Sequence, residues 1–172
     1  YNVMLLESPS FDEVMKALTR KDGRRVLANY GLDPKLGKYH RTYCLECDRT
    51  FQDQAPPVLS CPECNKTSVV RGVLDRIVDI RDYPVAEHPD HRPSYKYQIP
   101  LEFVPGIGPR SIDKLISKFG SEMAVLHNAR EEALAEVVGN KAAHLIIKAR
   151  EGTLPLVAGG GGRYGKALIK NT

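Results

Sequence analysis

Four cysteines stand in the order Cys44-x2-Cys47, thirteen intervening residues, Cys61-x2-Cys64. Two thiolates two residues apart grip one ion from a single tight turn, so two such pairs joined by a short excursion make a tetrahedral S4 site. The pattern uses every cysteine of the chain, and no signal peptide is read ahead of it. A reducing compartment and a metal are therefore expected in preference to two disulfides. The expected ion is one structural Zn2+, with iron in a rubredoxin-like site as the chemical alternative. Asp48 and Asn65 directly follow the two pairs, and both residue types tolerate the left-handed backbone that a metal-gripping turn requires. A closed S4 site has no open coordination position, so it holds structure and performs no hydrolysis.

With 42% hydrophobic and 27% charged residues over 172 positions, the chain reads as globular, long enough for one good core or two to three small ones. No apolar run approaches the roughly 20 residues needed to span a bilayer, so a soluble cytoplasmic protein with no membrane partner is expected. A net charge of +4 and a pI near 8.9 permit a polyanionic partner without demanding one.

Residues 1–36 read as strand, helix, strand. Apolar Val3 to Leu6 precedes a helix marked by Phe11, Val14, Met15 and Leu18, with Ser10 and Glu13 as a capping box, and Arg25 to Tyr30 is the second strand. Such a unit cannot bury both faces of a sheet alone, so it is expected to be the end of an upstream α/β domain. A cysteine module follows over 37–82, with Val69 to Ile80 expected as a strand leaving it. Residues 83–100 read as an extended linker in which His88 and His91 are solvated rather than ligands.

The segment 101–152 carries the second strong pattern. Leu101 and Val104, then Pro105-Gly106-Ile107-Gly108-Pro109, then Ile112, Leu115, Ile116 and Phe119 predict a helix, a G-h-G hairpin and a second helix. In such a hairpin the glycines let the backbone approach a phosphate, the helix N-terminus points its amides at the anion, and Ile107 pins the turn to the core. Arg110, Ser111 and Lys114 lie on the first turns of the second helix, where the cations neutralise neighbouring phosphates. A degenerate copy follows, Glu131 to Val138, Gly139-Asn140-Lys141, and Ala142 to Arg150, with Gly139 and Lys141 as its candidate contacts. Two hairpins packed as four helices can bind both strands of a duplex.

Residues 153–172 read as a Gly-rich basic tail. From Gly160 to Lys166 it satisfies G-x4-G-K, but Ala167 stands where a magnesium-binding hydroxyl is needed and too few residues follow for the phosphate-holding helix. No nucleotide is therefore expected. Arg163, Lys166 and Lys170 are instead candidates for a nucleic-acid backbone.

Gly37-Lys38-Tyr39-His40-Arg41, the cysteine pairs, Pro100-Leu101-Glu102-Phe103-Val104-Pro105-Gly106-Ile107-Gly108, and Arg150-Glu151-Gly152 through Gly159 to Lys166 together resemble the C-terminal part of endonuclease Q-type proteins, some of them labelled helicase-like. The resemblance runs from Ser10 onward. It implies a parent protein in which an N-terminal polymerase-and-histidinol-phosphatase (PHP) metallo-domain cuts DNA beside deaminated bases, followed by a zinc module and a helical region. Tyr39, His40 and Arg41 would then face the lesion.

The five histidines are scattered, with no carboxylate-rich cluster around them, so no catalytic residue is assigned within this chain. The expected fold is α+β and multidomain: an α/β remnant, a zinc-ribbon-like four-cysteine module, then an all-α tandem helix-hairpin-helix. The expected function is the DNA-binding portion of a DNA repair endonuclease, its partner a duplex with a damaged base. The alternative, from a different class, is a zinc-ribbon and helical adaptor for protein-protein contacts.

Overall fold

The computed structural model describes residues 1–169, so Lys170 lies outside the described residues. The fold is α+β. It begins with β1 (Asn2–Leu5), α1 (Phe11–Thr19) and β2 (Arg25–Leu32), followed by β3 (Tyr43–Cys44), β4 (Arg49–Thr50), β5 (Val69–Val70), α2 (Val73–Ile80) and β6 (Ser94–Gln98). Four further helices follow, α3 (Pro109–Phe119), α4 (Glu122–His127), α5 (Glu131–Val138) and α6 (Asn140–Arg150), then β7 (Leu156–Val157) and β8 (Lys166–Ala167). These elements form two compact units. One joins Tyr1–Gly31 to Tyr83–Tyr97, and the other joins Leu32–Asp82 to the residues from Gln98 onward.

The first unit is a three-stranded sheet in the order β1-β2-β6, with β1 antiparallel to β2. The segment expected to be only a linker thus contributes strand β6, because Ser94 to Gln98 alternates around Tyr95 and Tyr97 and finds the free edge of β2. Helix α1 starts as its residues dictate, with Ser10 Oγ accepting from the Glu13 amide at 3.3 Å. The reciprocal half of the capping box is not made. The Glu13 carboxylate is buried and accepts from the Glu7 amide (2.9 Å), Lys16 Nζ (2.9 Å) and Arg24 Nε (2.6 Å). Lys16 first, then the Glu7 amide and Arg24, hold its carboxyl down at about 2.

The second unit has two cores. Leu36, Leu101, Val104, Leu115, Val125, Leu134, Ala143 and Ile146 are buried in the larger one, around which α3 to α6 pack. Each of the Leu, Ile and Val side chains among them contributes about 1.5–3 kcal/mol on burial. The helices are cross-braced at their ends: Arg150 Nε donates to Leu126 O (2.8 Å) and its Nη2 to Ala129 O (2.7 Å), satisfying carbonyls at the end of α4. Lys118 of α3 pairs with Glu136 of α5 at 2.5 Å.

Three expectations need correction here. Val73–Ile80 is a helix, not a strand, because Gly72 opens it and Leu74, Asp75 and Val78 return to one inner face at helical spacing. Leu101–Phe103 forms a single 3₁₀ turn instead of the first helix of a hairpin, since Pro100 and Pro105 leave too few residues for an α-helix and Pro105 pushes Val104 into extended backbone. The segment expected as a Gly-rich tail from residue 153 carries paired strands: β7 and β8 run antiparallel, Leu156 opposite Ala167 and Val157 opposite Lys166.

Candidate functional site

The central strand β3 of a small sheet, order β4-β3-β5, ends at Cys44 and delivers the first cysteine pair into the turn before β4. Asp48 (φ 53°) and Asn65 (φ 57°) adopt the left-handed conformation expected after each pair. The four sulfurs converge, all ligand atoms lying within 4.8 Å of one another, with Cys44 Sγ to Cys64 Sγ at 3.8 Å and Cys47 Sγ to Cys61 Sγ at 3.7 Å. A regular tetrahedron of thiolates around zinc at about 2.3 Å has edges of about 3.8 Å, which these two separations match. Amides are aimed at the sulfurs: Cys47 N at Cys44 Sγ, and Glu63 N and Cys64 N at Cys61 Sγ, each at 3.4 Å.

Proton affinities in the cluster are split. Contacts with the Cys64 and Cys61 sulfurs push Cys47 up to about 12. Burial raises Cys61, yet the amides of Cys64 and Glu63 outweigh it and bring this thiol down to about 7. Four sulfurs this close ionise together only around a cation. Cys44, Cys47, Cys61 and Cys64 can therefore hold a metal such as zinc, and its contribution would be to clamp two turns that share one small core with Phe51 and Val58. Among the described residues no other cluster of this kind occurs, and His88 instead lies 3.3 Å from Arg92.

A second, polar centre lies under the module, and sequence reasoning missed it. Asp75, fully buried on α2, accepts from Thr42 N (3.0 Å) and Val58 N (2.8 Å), while the Thr42 hydroxyl accepts from Gly72 N (2.9 Å). Arg41 lies beside it, with Nε 3.5 Å from Asp75 Oδ2 and Nη2 donating to Gln54 O at 2.6 Å. Arg41 is thus buried and braces the fold, which removes it from the exposed lesion-facing group. Tyr39 is exposed and His40 half-buried beside it. Burial first, then the Arg41 charge, lowers the His40 pKa, leaving a neutral imidazole near pH 7.

The Gly-rich segment is not a free tail. Gly159 N donates to Lys35 O (2.8 Å), Gly165 N to Leu36 O (3.0 Å) and Gly162 N to Lys38 O (3.1 Å), while Gly159 O accepts from Arg41 N (2.9 Å). Gln52 closes a two-way bond with the Ala158 backbone at 2.8 and 2.9 Å. Glycine serves close packing here: a Cβ on Gly160 would stand 2.6 Å from the Arg41 carbonyl oxygen. Lys166 opens strand β8 rather than a helix, so the helix N-terminus that a P-loop needs is not supplied. Arg163 pairs with Asp48 at 2.9 Å and lies over the Tyr43 ring, and the Tyr43 hydroxyl donates to the same Asp48 carboxylate. This links the loop to the first cysteine turn.

Before α3, Gly106 (φ +84°) makes the turn and Ile107 is buried. Gly108 caps α3 with an ordinary negative φ, and a Cβ there would meet nothing within 4 Å. The fold itself does not demand glycine at 108, which leaves room for an external group. Arg110 and Lys114 are exposed, Ser111 is half-buried, and neither cation has an ion-pair partner among the described residues. Gly139 (φ +80°) ends α5 and begins α6 as a single-residue joint, with Lys141 exposed on the first turn beyond it.

No family model matches the chain. It is 49% identical over 166 residues to the uncharacterized protein YqxK of Bacillus subtilis, covering 96% of this chain and 42% of YqxK. It is 38% identical over 173 residues to the uncharacterized protein MJ0043 of Methanocaldococcus jannaschii, covering 94% of this chain and 21% of that protein. The chain therefore spans less than half the length of either relative. Among solved structures it is similar to the lesion-specific endonuclease PfuEndoQ from Pyrococcus furiosus, with a TM-score of 0.78, 33% identity, and coverage of 99% of this chain and 44% of that one. It is similar also to Endonuclease Q in complex with a 27-mer duplex substrate carrying an abasic lesion at the active site, with a TM-score of 0.75, 35% identity, and coverage of 99% and 45%. The chain is thus similar in structure to Endonuclease Q over 99% of its length.

Proposed function

We propose that this chain is the DNA-engaging portion of a DNA repair endonuclease acting at deaminated bases, with cleavage carried out by residues outside it. The observation that carries the reading is the structural relation to Endonuclease Q, one of whose structures holds a duplex substrate. Local physics supports it: Arg110 and Lys114 are exposed without ion-pair partners among the described residues at the start of α3, beside a glycine whose missing side chain the fold does not need. In this reading the turns at Gly106-Ile107-Gly108 and Gly139-Asn140-Lys141 act as tandem helix-hairpin-helix elements. Arg110, Ser111, Lys114 and Lys141 contact phosphates of one duplex. The zinc module braces Tyr39 and His40 toward the damaged base, and residues 1–36 belong to a PHP-like α/β domain.

The test is a titration of the zinc-loaded chain against duplexes with and without deoxyuridine or deoxyinosine, across a salt series. Binding that weakens with salt, and falls for damaged and undamaged duplexes alike in Lys114→Glu, supports the reading, because phosphate contacts carry no base information. Unchanged affinity and salt slope in a folded Lys114→Glu variant would leave the turn a helical corner and favour the adaptor.

A further inference from the structure

We propose that the docked glycine loop presents Tyr164 as a stacking platform for an unpaired DNA base, a second nucleic-acid contact separate from the α3 and α6 turns; this rests on the DNA-binding reading above. The loop is held at both ends by backbone bonds to Lys35, Leu36 and Lys38, and in the middle by the Arg163–Asp48 pair, so what it exposes is positioned, not floppy. It exposes a ring. Tyr164 is 52% accessible although the edge-on Phe103 ring lies 5.6 Å from it and Lys38 Nζ is 4.6 Å from its centroid. Contacts with Phe103 and Lys38 restrict the rotamers of Tyr164, which lowers the cost of stacking a partner.

The strip Arg163, Tyr164 and Lys166 separates two open hollows. One, of about 420 Å³, is lined by Glu102, Phe103 and Ala167 as well as the strip. The other, of about 270 Å³, is lined by Tyr43, Thr50 and the Gly159-Gly160 backbone beside it. The larger has volume enough for a nucleobase, and the exposed Tyr164 ring in its lining offers the apolar face a base seeks. Glu102 in its lining repels a phosphate, so the anionic backbone is directed to Lys166 on the strip and to Lys38 over the Tyr164 ring. Aromatic faces interleaved with cations are the composition that recognises single-stranded nucleic acid without reading sequence, since every base has a π-face. A fully paired duplex keeps its bases stacked inside and gains nothing from Tyr164.

The experiment compares three labelled DNAs of equal length by fluorescence anisotropy at two salt concentrations: a fully paired duplex, a duplex with one looped-out nucleotide, and a single strand. The full chain carries zinc, and the variants are Tyr164→Ala and Tyr164→Phe. The expected result is that Tyr164→Ala loses about 5- to 150-fold on the looped-out and single-stranded DNAs. Its paired-duplex affinity stays unchanged, and Tyr164→Phe retains wild-type binding. In the wild-type chain, 2-aminopurine at the looped-out position is expected to be quenched on binding, which tests stacking even where Tyr164→Ala fails to fold. Equal affinity of Tyr164→Ala and wild type for all three DNAs, or equal losses on all three, would overturn the platform while leaving duplex binding intact. No binding to the paired duplex, with the looped-out DNA still held through Tyr164, would overturn the hairpin reading instead. Failure to bind any of the three overturns both.

Discussion

Replacing Asp75 by Ala should be among the most damaging single changes in the second unit. The carboxylate is fully buried and receives two backbone amides, from Thr42 at 3.0 Å and Val58 at 2.8 Å, with Arg41 Nε at 3.5 Å. Removing it leaves two buried N–H groups without acceptors, each costing about 1–3 kcal/mol. It also strands a buried guanidinium, and breaking such a pair from one side costs about 3–5 kcal/mol. The penalties overlap, because Arg41 still donates to Gln54 O at 2.6 Å, so a total of about 3–5 kcal/mol is expected. The assay is urea unfolding of the zinc-loaded chain, followed by tyrosine fluorescence and far-UV circular dichroism. A double-mutant cycle isolates the ionic part. In the Arg41→Met background the Asp75→Ala change should cost less by at least about 1 kcal/mol, since no charge is then left alone. A loss below about 1 kcal/mol for Asp75→Ala, or strict additivity in the cycle, would refute the view that this carboxylate ties α2 to the cysteine module.

Elemental analysis should find one zinc per chain, and Cys61→Ser should lose it and loosen the segment around Phe51 and Val58, as protease sensitivity would show; iron, or no metal, overturns this. Within the first unit, the Glu13 carboxyl should titrate at about 2, below its ordinary value of 4.5. Because the folded value is depressed, the stability it contributes is complete above 4.5 and is lost as pH falls through about 2. NMR of the side-chain carboxyl carbon reads this directly, and a midpoint near 4.5 would contradict it. Gly108→Val should weaken duplex binding more than Lys114→Glu while barely changing stability, because the position has an ordinary φ and open space around it; a stability loss as large as the binding loss would make Gly108 a folding residue.

What the sequence alone determined is what short-range chemistry decides. Two cysteines at fixed spacing, followed by Asp48 and Asn65 in left-handed backbone, make a metal-gripping turn wherever the chain carries them. Pro109 at the first position of α3 and Gly120 after its last define that helix with little help from the rest of the fold. The caps at Ser10 and Ser121 do the same for α1 and α4. Where the sequence reading failed, the deciding partner was distant in the chain. Val69 to Ile80 carries apolar residues that satisfy a strand pattern and a helix pattern alike, and the choice was made by the amides of Thr42 and Val58, which need the Asp75 carboxylate on an inward-facing helical turn. Ser94 to Gln98 is polar enough to pass for a linker until the edge of β2 accepts it. The four consecutive glycines from Gly159 to Gly162 resemble a flexible tail, yet Arg41 and Tyr43, more than a hundred positions earlier, come so close to Gly160 and Gly161 that only glycine fits there. Arg41 looks like a surface cation by composition. Its burial follows from Asp75 and the Gln52 and Gln54 carbonyls, partners that no local pattern announces and only the folded chain brings within reach.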